Sequence, residues 1–313
     1  MKVFLAGATG AMGQALVPQL IAAGHSVVGT TRTEDKFAML WDLGAQPVVM
    51  DGLDAESVGN AVAHAEPDVV IHQMTAITAA KSLKHFDRIF AATNQLRTIG
   101  TDNLLAAARA TGVRRFVAQS FTGWPNERTG GPVKTENDPF DPDPPTEQRK
   151  SMAAIQHVER TVTAAPLESV VLRYGFFYGR GASTEVFDAL KKRQLPVLGD
   201  GAAVWSWIHV DDGAAATVRA VERGAGIYNV VDDDPTPVRE MFPAMAEILG
   251  AKAPRHLPVW LGGMIAGEVG VSMLTRTRGS SNAKARRELD WAPRWTSWRD
   301  GLRHEIARPV AAR

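Results

Sequence analysis

The chain has no cysteine among its 313 residues. Disulfides, thiolate metal sites and cysteine nucleophiles are therefore excluded. The formal net charge is +1, which gives no electrostatic case for nucleic acid or an anionic membrane surface. No apolar run reaches the length of a membrane span; Val259 to Val271 is apolar but short, and glycines and Glu268 interrupt it. The N-terminus enters an apolar strand at once, without the charged-then-apolar plan of a signal peptide. Together these absences predict a cytoplasmic protein with neither a nucleic-acid nor a membrane partner. No His/Asp/Glu cluster has metal-ligating spacing, no Gly-x-Ser-x-Gly turn presents a nucleophilic serine, and no repeat is visible. Tyrosine is scarce, with Tyr174, Tyr178 and Tyr228 only. With 45% hydrophobic residues, the chain can still bury a large core, as one big domain or a domain with a smaller lobe.

The first thirty-two residues organise what is there. Lys2 to Ala6 reads as a buried strand, Gly7, Gly10 and Gly13 form a Gly-x-x-Gly-x-x-Gly turn, Gln14 to Ala23 continues as a helix, and Ser26 to Thr30 is a second strand. A glycine-rich turn between strand and helix lets backbone N–H groups approach a pyrophosphate and aims the helix's positive end at it. The turn residues Gly7, Thr9, Gly10, Ala11, Met12 and Gly13 are thus candidates for dinucleotide binding. At the end of the second strand a ribose 2′-hydroxyl calls for an acidic residue and a 2′-phosphate for a cation. Thr31-Arg32 stands there, with Lys36 a turn later, so NADP(H) is favoured over NAD(H). The planar fork of Arg32 suits a phosphate.

Strands and helices alternate through the first half: Pro47–Met50, Val69–Gln73, Arg115–Gln119 and Ser169–Leu172 as strands. The uninterrupted apolar Val69-Val70-Ile71 suits a parallel sheet covered on both faces. Asp54 is the expected N-cap of a helix running to Ala65, and Phe86 to Ala110 reads as a long helical stretch ended by Thr111-Gly112. The Pro/Gly-rich Gly123–Pro145 segment reads as a long loop of a functional or disordered kind. Beyond Tyr174 the pattern is mixed: a Trp205–Val210 strand, an Asp211–Arg223 helix, an Ile227–Val231 strand, then helices near Arg239–Leu249 and Pro258–Leu274. The expected fold class is α/β, a Rossmann-type doubly wound parallel sheet with a smaller mixed C-terminal substrate lobe. Residues 1–175 form the dinucleotide-binding part, segments of about 204–232 return to it, and 176–313 are mainly the lobe.

The spacing of the glycines, together with Trp207-Ile208-His209-Val210-Asp211-Asp212 and Leu172-Arg173-Tyr174-Gly175, resembles the extended short-chain dehydrogenase/reductase superfamily in its NAD-dependent epimerase/dehydratase-like branch. The resemblance runs from residue 2 to about residue 300. It implies that Asp51, Gly52 and Leu53 read adenine, that Gln73, Met74 and Thr75 after the fourth strand line the pyrophosphate and ribose, and that Tyr174, Gly175 and Phe176 pass the nicotinamide. It also implies that Asp211 or Asp212 caps the following helix. Phe121, Trp124, Phe177, Tyr178, Trp205 and Trp207 would line the substrate side of the same cleft, which points to an apolar or aromatic small molecule. The branch often forms homodimers, so a homodimer is a possible assembly.

The resemblance fails at its chemistry. The superfamily moves protons with a Tyr-x-x-x-Lys pair, lysine one turn after tyrosine on the same helix face, and a Ser or Thr at the end of the fifth strand. No Tyr-x-x-x-Lys occurs in this chain. Counted from Pro142, the two positions fall on Thr146 and Lys150; counted back from Glu159, they fall on Ser151 and Ile155. At the fifth strand Phe121 stands at the usual hydroxyl position, between Ser120 and Thr122. Ser120, Thr122 and Lys150 are the remaining catalytic candidates. The leading expectation is an NADP(H)-dependent oxidoreductase. The alternative is a member that binds cofactor without net redox turnover, as an isomerase, a dehydratase-like enzyme or an NADP-sensing binding protein.

Overall fold

The structure is a computed structural model that describes residues 1–77, 83–180 and 182–307. Its centre is a seven-stranded sheet. We number its strands β1 (Lys2–Ala6), β2 (Ser26–Thr31), β3 (Gln46–Val49), β4 (Val69–His72), β5 (Arg115–Phe121), β6 (Glu168–Tyr174) and β7 (Gly226–Val230). All neighbours pair parallel, in the order β7-β6-β5-β4-β1-β2-β3. The order reverses between β1 and β4, where Val3 pairs with Val27 on one side and Val69 on the other. A crevice opens at such a switch point beyond the carboxyl ends of the strands.

The strands are apolar on both faces because helices cover both. On one face, α1 (Ala11–Ala22) and α5 (Val210–Glu222) pack Leu16, Leu20, Ala214 and Val221 against Leu5, Ile71 and Leu172. On the other, α2 (Ala55–Ala65), α3 (Thr101–Ala110) and α4 (Arg149–Thr163) pack Val58, Leu104 and Val158 against Phe4, Val70 and Phe116. A third cluster, with Trp205, Trp207, Phe242, Met273 and Trp298, is the core of the C-terminal lobe. That lobe, expected to run to Arg313, is described as far as Ala307; residues 308–313 lie outside the described residues.

Asp54 caps α2 as expected, its side chain accepting from the amides of Glu56 and Ser57. The stretch from Phe86 to Ala110 is helical, in successive pieces: Phe86–Ile89, Ala91–Gln95, a π-helical turn Leu96–Gly100 and α3 follow one another. Two expectations are corrected. The Trp205–Val210 strand is two short ones, Val204–Trp205 and Trp207–His209, because they join different partners. The cap of α5 is neither Asp211 nor Asp212. The His209 ring accepts from the Asp211 amide, while Asp212 accepts from the amides of Arg294 and Trp295 and ties down the C-terminal segment.

The Gly123–Pro145 segment is fastened rather than loose. Val133–Lys134 pairs with Gly279–Ser280, Arg128 bridges Asp141 at 2.6 Å, and the buried Lys134 ammonium lies between Glu127 and Asp138. It forms one wall of the crevice.

Candidate functional site

The glycine turn closes the crevice floor. Gly7 has φ +95°, which an L side chain rarely adopts, and a Cβ there would meet the Gln73 carbonyl at 2.7 Å. A Cβ on Gly13 would meet the Ala8 carbonyl oxygen at 2.4 Å. Both glycines therefore let α1 approach β1 and β4 closely. Gly10 differs: it caps α1 without any side-chain bond, its side is open, and a Cβ would find only the Gly7 oxygen at 3.6 Å. The first amides of a twelve-residue helix are thus presented over backbone alone, which is the geometry that receives a pyrophosphate. The Gly7 amide donates to the Thr30 hydroxyl (3.0 Å), tying the turn to β2. The exposed Arg32 follows directly on β2, beside the turn.

Around this floor the candidates divide by exposure. Gly10, Ala11, Arg32, Asp51, Leu53 and Thr75 are exposed, and Gly7, Thr9 and Phe176 are half-buried. The Asp51 carboxylate accepts from the Leu53 amide at 3.0 Å. Met12, Gly13, Gly52, Gln73, Met74, Tyr174 and Gly175 are buried and shape the crevice from behind. The Gln73 amide donates to the Tyr174 hydroxyl (3.0 Å), which also bonds Thr217 on α5 (2.7 Å). Burial pushes this phenol up to about 12. All three tyrosines are 1% exposed, so none offers a hydroxyl to the crevice.

The hydroxyl and amine candidates are placed as follows. The buried Ser120 hydroxyl donates to Glu159 at 2.6 Å, and Glu159 holds Arg173 by two bonds of 2.7 Å. The buried Thr122 hydroxyl donates to Asn126 (3.1 Å) and lies 2.6 Å from the Ser280 hydroxyl, which also accepts from the Asn126 amide. Both hydroxyls are buried and engaged. Thr146 and Lys150 are exposed, whereas Ser151, Ile155 and Glu159 are buried, one turn apart along one side of α4. The positions counted back from Glu159 are therefore the buried ones. Ser151 donates to Asp87 (2.6 Å) and accepts from Asn94 (2.9 Å), and Asp87 also takes the amides of Lys150 and Ser151. This cap comes from a distant helix, and no local sequence signal marks it.

The aromatic candidates separate by strand alternation. Phe176–Tyr178 pairs parallel with Trp207–His209, and successive side chains point to opposite faces. Phe176 faces the lobe, stacked on Trp205 at 4.3 Å and edge-on to Phe121 at 5.3 Å, with Trp124 6.2 Å beyond Phe121. Phe121, Trp124 and Phe176 are half-buried and form a row. Phe177 points the other way, against Tyr174, and Tyr178 and Trp207 lie in the lobe core. Behind Trp205 is an apolar cavity of about 90 Å³ lined by Leu195, Leu198, Ile265, Met273 and Leu274 among others.

Comparison with known proteins gives the family of the chain. Residues 3–230 match the model of the NAD dependent epimerase/dehydratase family. A Streptomyces protein named 3-diazoavenalumate denitrifying reductase is 40% identical over 97% of this chain and 100% of its own. The 2-alkyl-3-oxoalkanoate reductase of Stenotrophomonas maltophilia is 27% identical over 80% of this chain and 76% of its own. A human epimerase family protein solved with NADPH superposes with a TM-score of 0.75 at 19% identity, covering 99% of this chain and 100% of that one. Among the described residues no group of His, Asp and Glu could hold a metal ion, and no helix is long and apolar enough to cross a membrane. The chain therefore belongs to the NAD dependent epimerase/dehydratase family, as an oxidoreductase of the extended short-chain type.

Proposed function

We propose that the protein is an NADPH-dependent reductase that delivers hydride to a small aromatic substrate without a protein acid. The single observation behind this reading is the loss of the proton donor: the tyrosines are buried, Ser120 and Thr122 are engaged, and Ser151 and Ile155 stand where the pair would be. A carbonyl or alkene reduction needs a proton as well as a hydride. An arenediazonium cation does not. When hydride adds at the carbon of an arenediazonium cation, its electron pair makes the C–H bond, the C–N pair leaves with N2, and the positive charge is discharged. The Streptomyces relative, 40% identical, carries a name that states a diazo substrate and reductive loss of nitrogen.

The bound cofactor would supply the hydride. The residues present fit it: the Gly7 and Gly13 cradle and the open Gly10 receive the pyrophosphate, and Arg32 receives the 2′-phosphate. Phe121, Trp124 and Phe176 orient a flat ring and keep water from its face. Gln73, Met74 and Thr75 carry the cofactor along the end of β4, and Tyr174 and Gly175 support the nicotinamide end from below. Lys150, exposed at the start of α4, is the one candidate amine for a substrate that does require a proton.

The test is consumption of the reduced nicotinamide, followed by its absorbance, with an arenediazonium panel and a carbonyl panel, each against a no-enzyme blank. NADPH consumption with diazonium salts well above blank supports the reading, with NADH slower. Turnover confined to carbonyls contradicts it. Tightly retained cofactor with no consumption on either panel would instead support the non-redox alternative.

A further inference from the structure

Among the described residues, the buried cation Arg97 has no partner for its guanidinium. It lies in the π-helical turn Leu96–Gly100, a local irregularity of the kind often found at functional sites. The residue is 8% exposed. Among the described residues its guanidinium makes no hydrogen bond or ion pair; only its carbonyl is used, accepting from Thr101 at 2.6 Å. The other two buried arginines contrast with it. Arg173 (5% exposed) is held by Glu159. Arg115 (6% exposed) bonds three carbonyls and Glu168.

Among the described residues, the two buried acids that bond α4 are already engaged. Asp87 is taken by Ser151 and the α4 amides, and Glu159 by Arg173 and Ser120. Ser151 and Ile155, on the helix packed against this turn, are neutral. Thr93, one turn earlier on the same side of the helix, accepts from the Ala76 amide at 3.1 Å, so this side meets the segment that follows β4. Arg97 is also close enough to His72, at the end of β4, for its charge to disfavour the imidazolium. The π turn therefore lies against the carboxyl end of β4, where the His72 ring faces the Leu96 carbonyl at 3.3 Å, and the crevice opens beyond that end. A desolvated, unpaired cation is costly, and a planar fork pairs best with a planar oxyanion.

We propose that Arg97 is the anion-recognition residue of the crevice and pairs with the carboxylate of the substrate. This rests on the crevice being the ligand site of a reductase but not on diazo chemistry. A cofactor phosphate offers the same oxyanion chemistry, and the experiment separates the two sources.

The full-length protein, its Arg97→Met variant and its Arg97→Lys variant are titrated calorimetrically with NADP+. With NADP+ present they are then titrated with cinnamate and with cinnamamide, which lacks the charge. The expected result is cinnamate binding weakened about tenfold or more in Arg97→Met, partly restored in Arg97→Lys, with cinnamamide and NADP+ binding unchanged. Weakened NADP+ binding with unchanged cinnamate keeps the anion site and assigns it to the cofactor. Unchanged affinity for both overturns the proposal. Should Arg97→Met fail to fold, cinnamate is expected to raise the melting temperature of the natural protein more than that of Arg97→Lys. Equal shifts overturn the proposal. None of these readouts requires turnover, so a failure of the diazo reading leaves them interpretable.

Discussion

Glu159 holds Arg173 by two bonds of 2.7 Å across α4 and β6, and its first oxygen also accepts the Ser120 hydroxyl at 2.6 Å. Both partners of the pair are buried, and the Arg173 guanidinium lies over the Phe140 ring at 4.6 Å. One carboxylate thus joins the sheet, α4 and the Gly123–Pro145 wall.

Removing that carboxylate strands a buried guanidinium. Glu159→Ala is expected to cost on the order of 3–5 kcal/mol of stability, measured by urea unfolding, with Glu159→Gln less severe because the amide oxygen still accepts. A loss below about 1 kcal/mol in Glu159→Ala would mean that the pair does not anchor the wall.

Two glycines of the first turn should separate. Gly13→Ala drives a Cβ onto the Ala8 carbonyl at 2.4 Å and should lower both melting temperature and cofactor affinity. Gly10→Ala has room within the protein and should melt normally while binding NADPH about tenfold more weakly, since the methyl enters the pyrophosphate path. Equal losses in both variants would contradict an open pyrophosphate path at Gly10.

In the proposed function Arg32 is the residue that discriminates between the two nicotinamide cofactors. Arg32→Glu should reverse the ratio of kcat/KM for NADPH over NADH, because the carboxylate repels a 2′-phosphate and accepts from a 2′-hydroxyl. An unchanged ratio would place the discrimination elsewhere.

His72 predicts a slope of stability with pH. Burial depresses its pKa from 6.5 to about 4, with its ring accepting from the Met74 amide and facing the Leu96 carbonyl. The folded state holds the neutral ring, so this contribution is complete above pH 6.5 and is lost as pH falls toward 4. The loss is on the order of 3 kcal/mol. His72→Gln should flatten that part of the profile in chemical denaturation between these pH values; a slope unchanged by the substitution would contradict the neutral-imidazole reading.

Local spacing made the cofactor half readable. The strand, the glycine turn and Arg32 lie within one short segment, and apolar Val69-Val70-Ile71 suits a strand covered on both sides. The failed tyrosine–lysine pair was readable too, because it is a pattern on one helix. What sequence could not supply was set by distant packing. Nothing in Gln95-Leu96-Arg97-Thr98 announces a π turn, since ordinary helix formers fill it, and the burial of Arg97 depends on α4 packing against it. The cap of α4 by Asp87 joins two segments far apart in sequence. Alternation separates Phe176 from Phe177, but only the folded lobe shows which face meets Phe121 and Trp205.

The most direct measurement uses NADPH deuterated at the transferable position, with an arenediazonium substrate in ordinary water. The expected product is the arene carrying one deuterium at the carbon that held nitrogen, with N2 released in equal amount. Hydrogen from solvent at that carbon, or nitrogen retained in the product, would contradict hydride delivery without a protein acid.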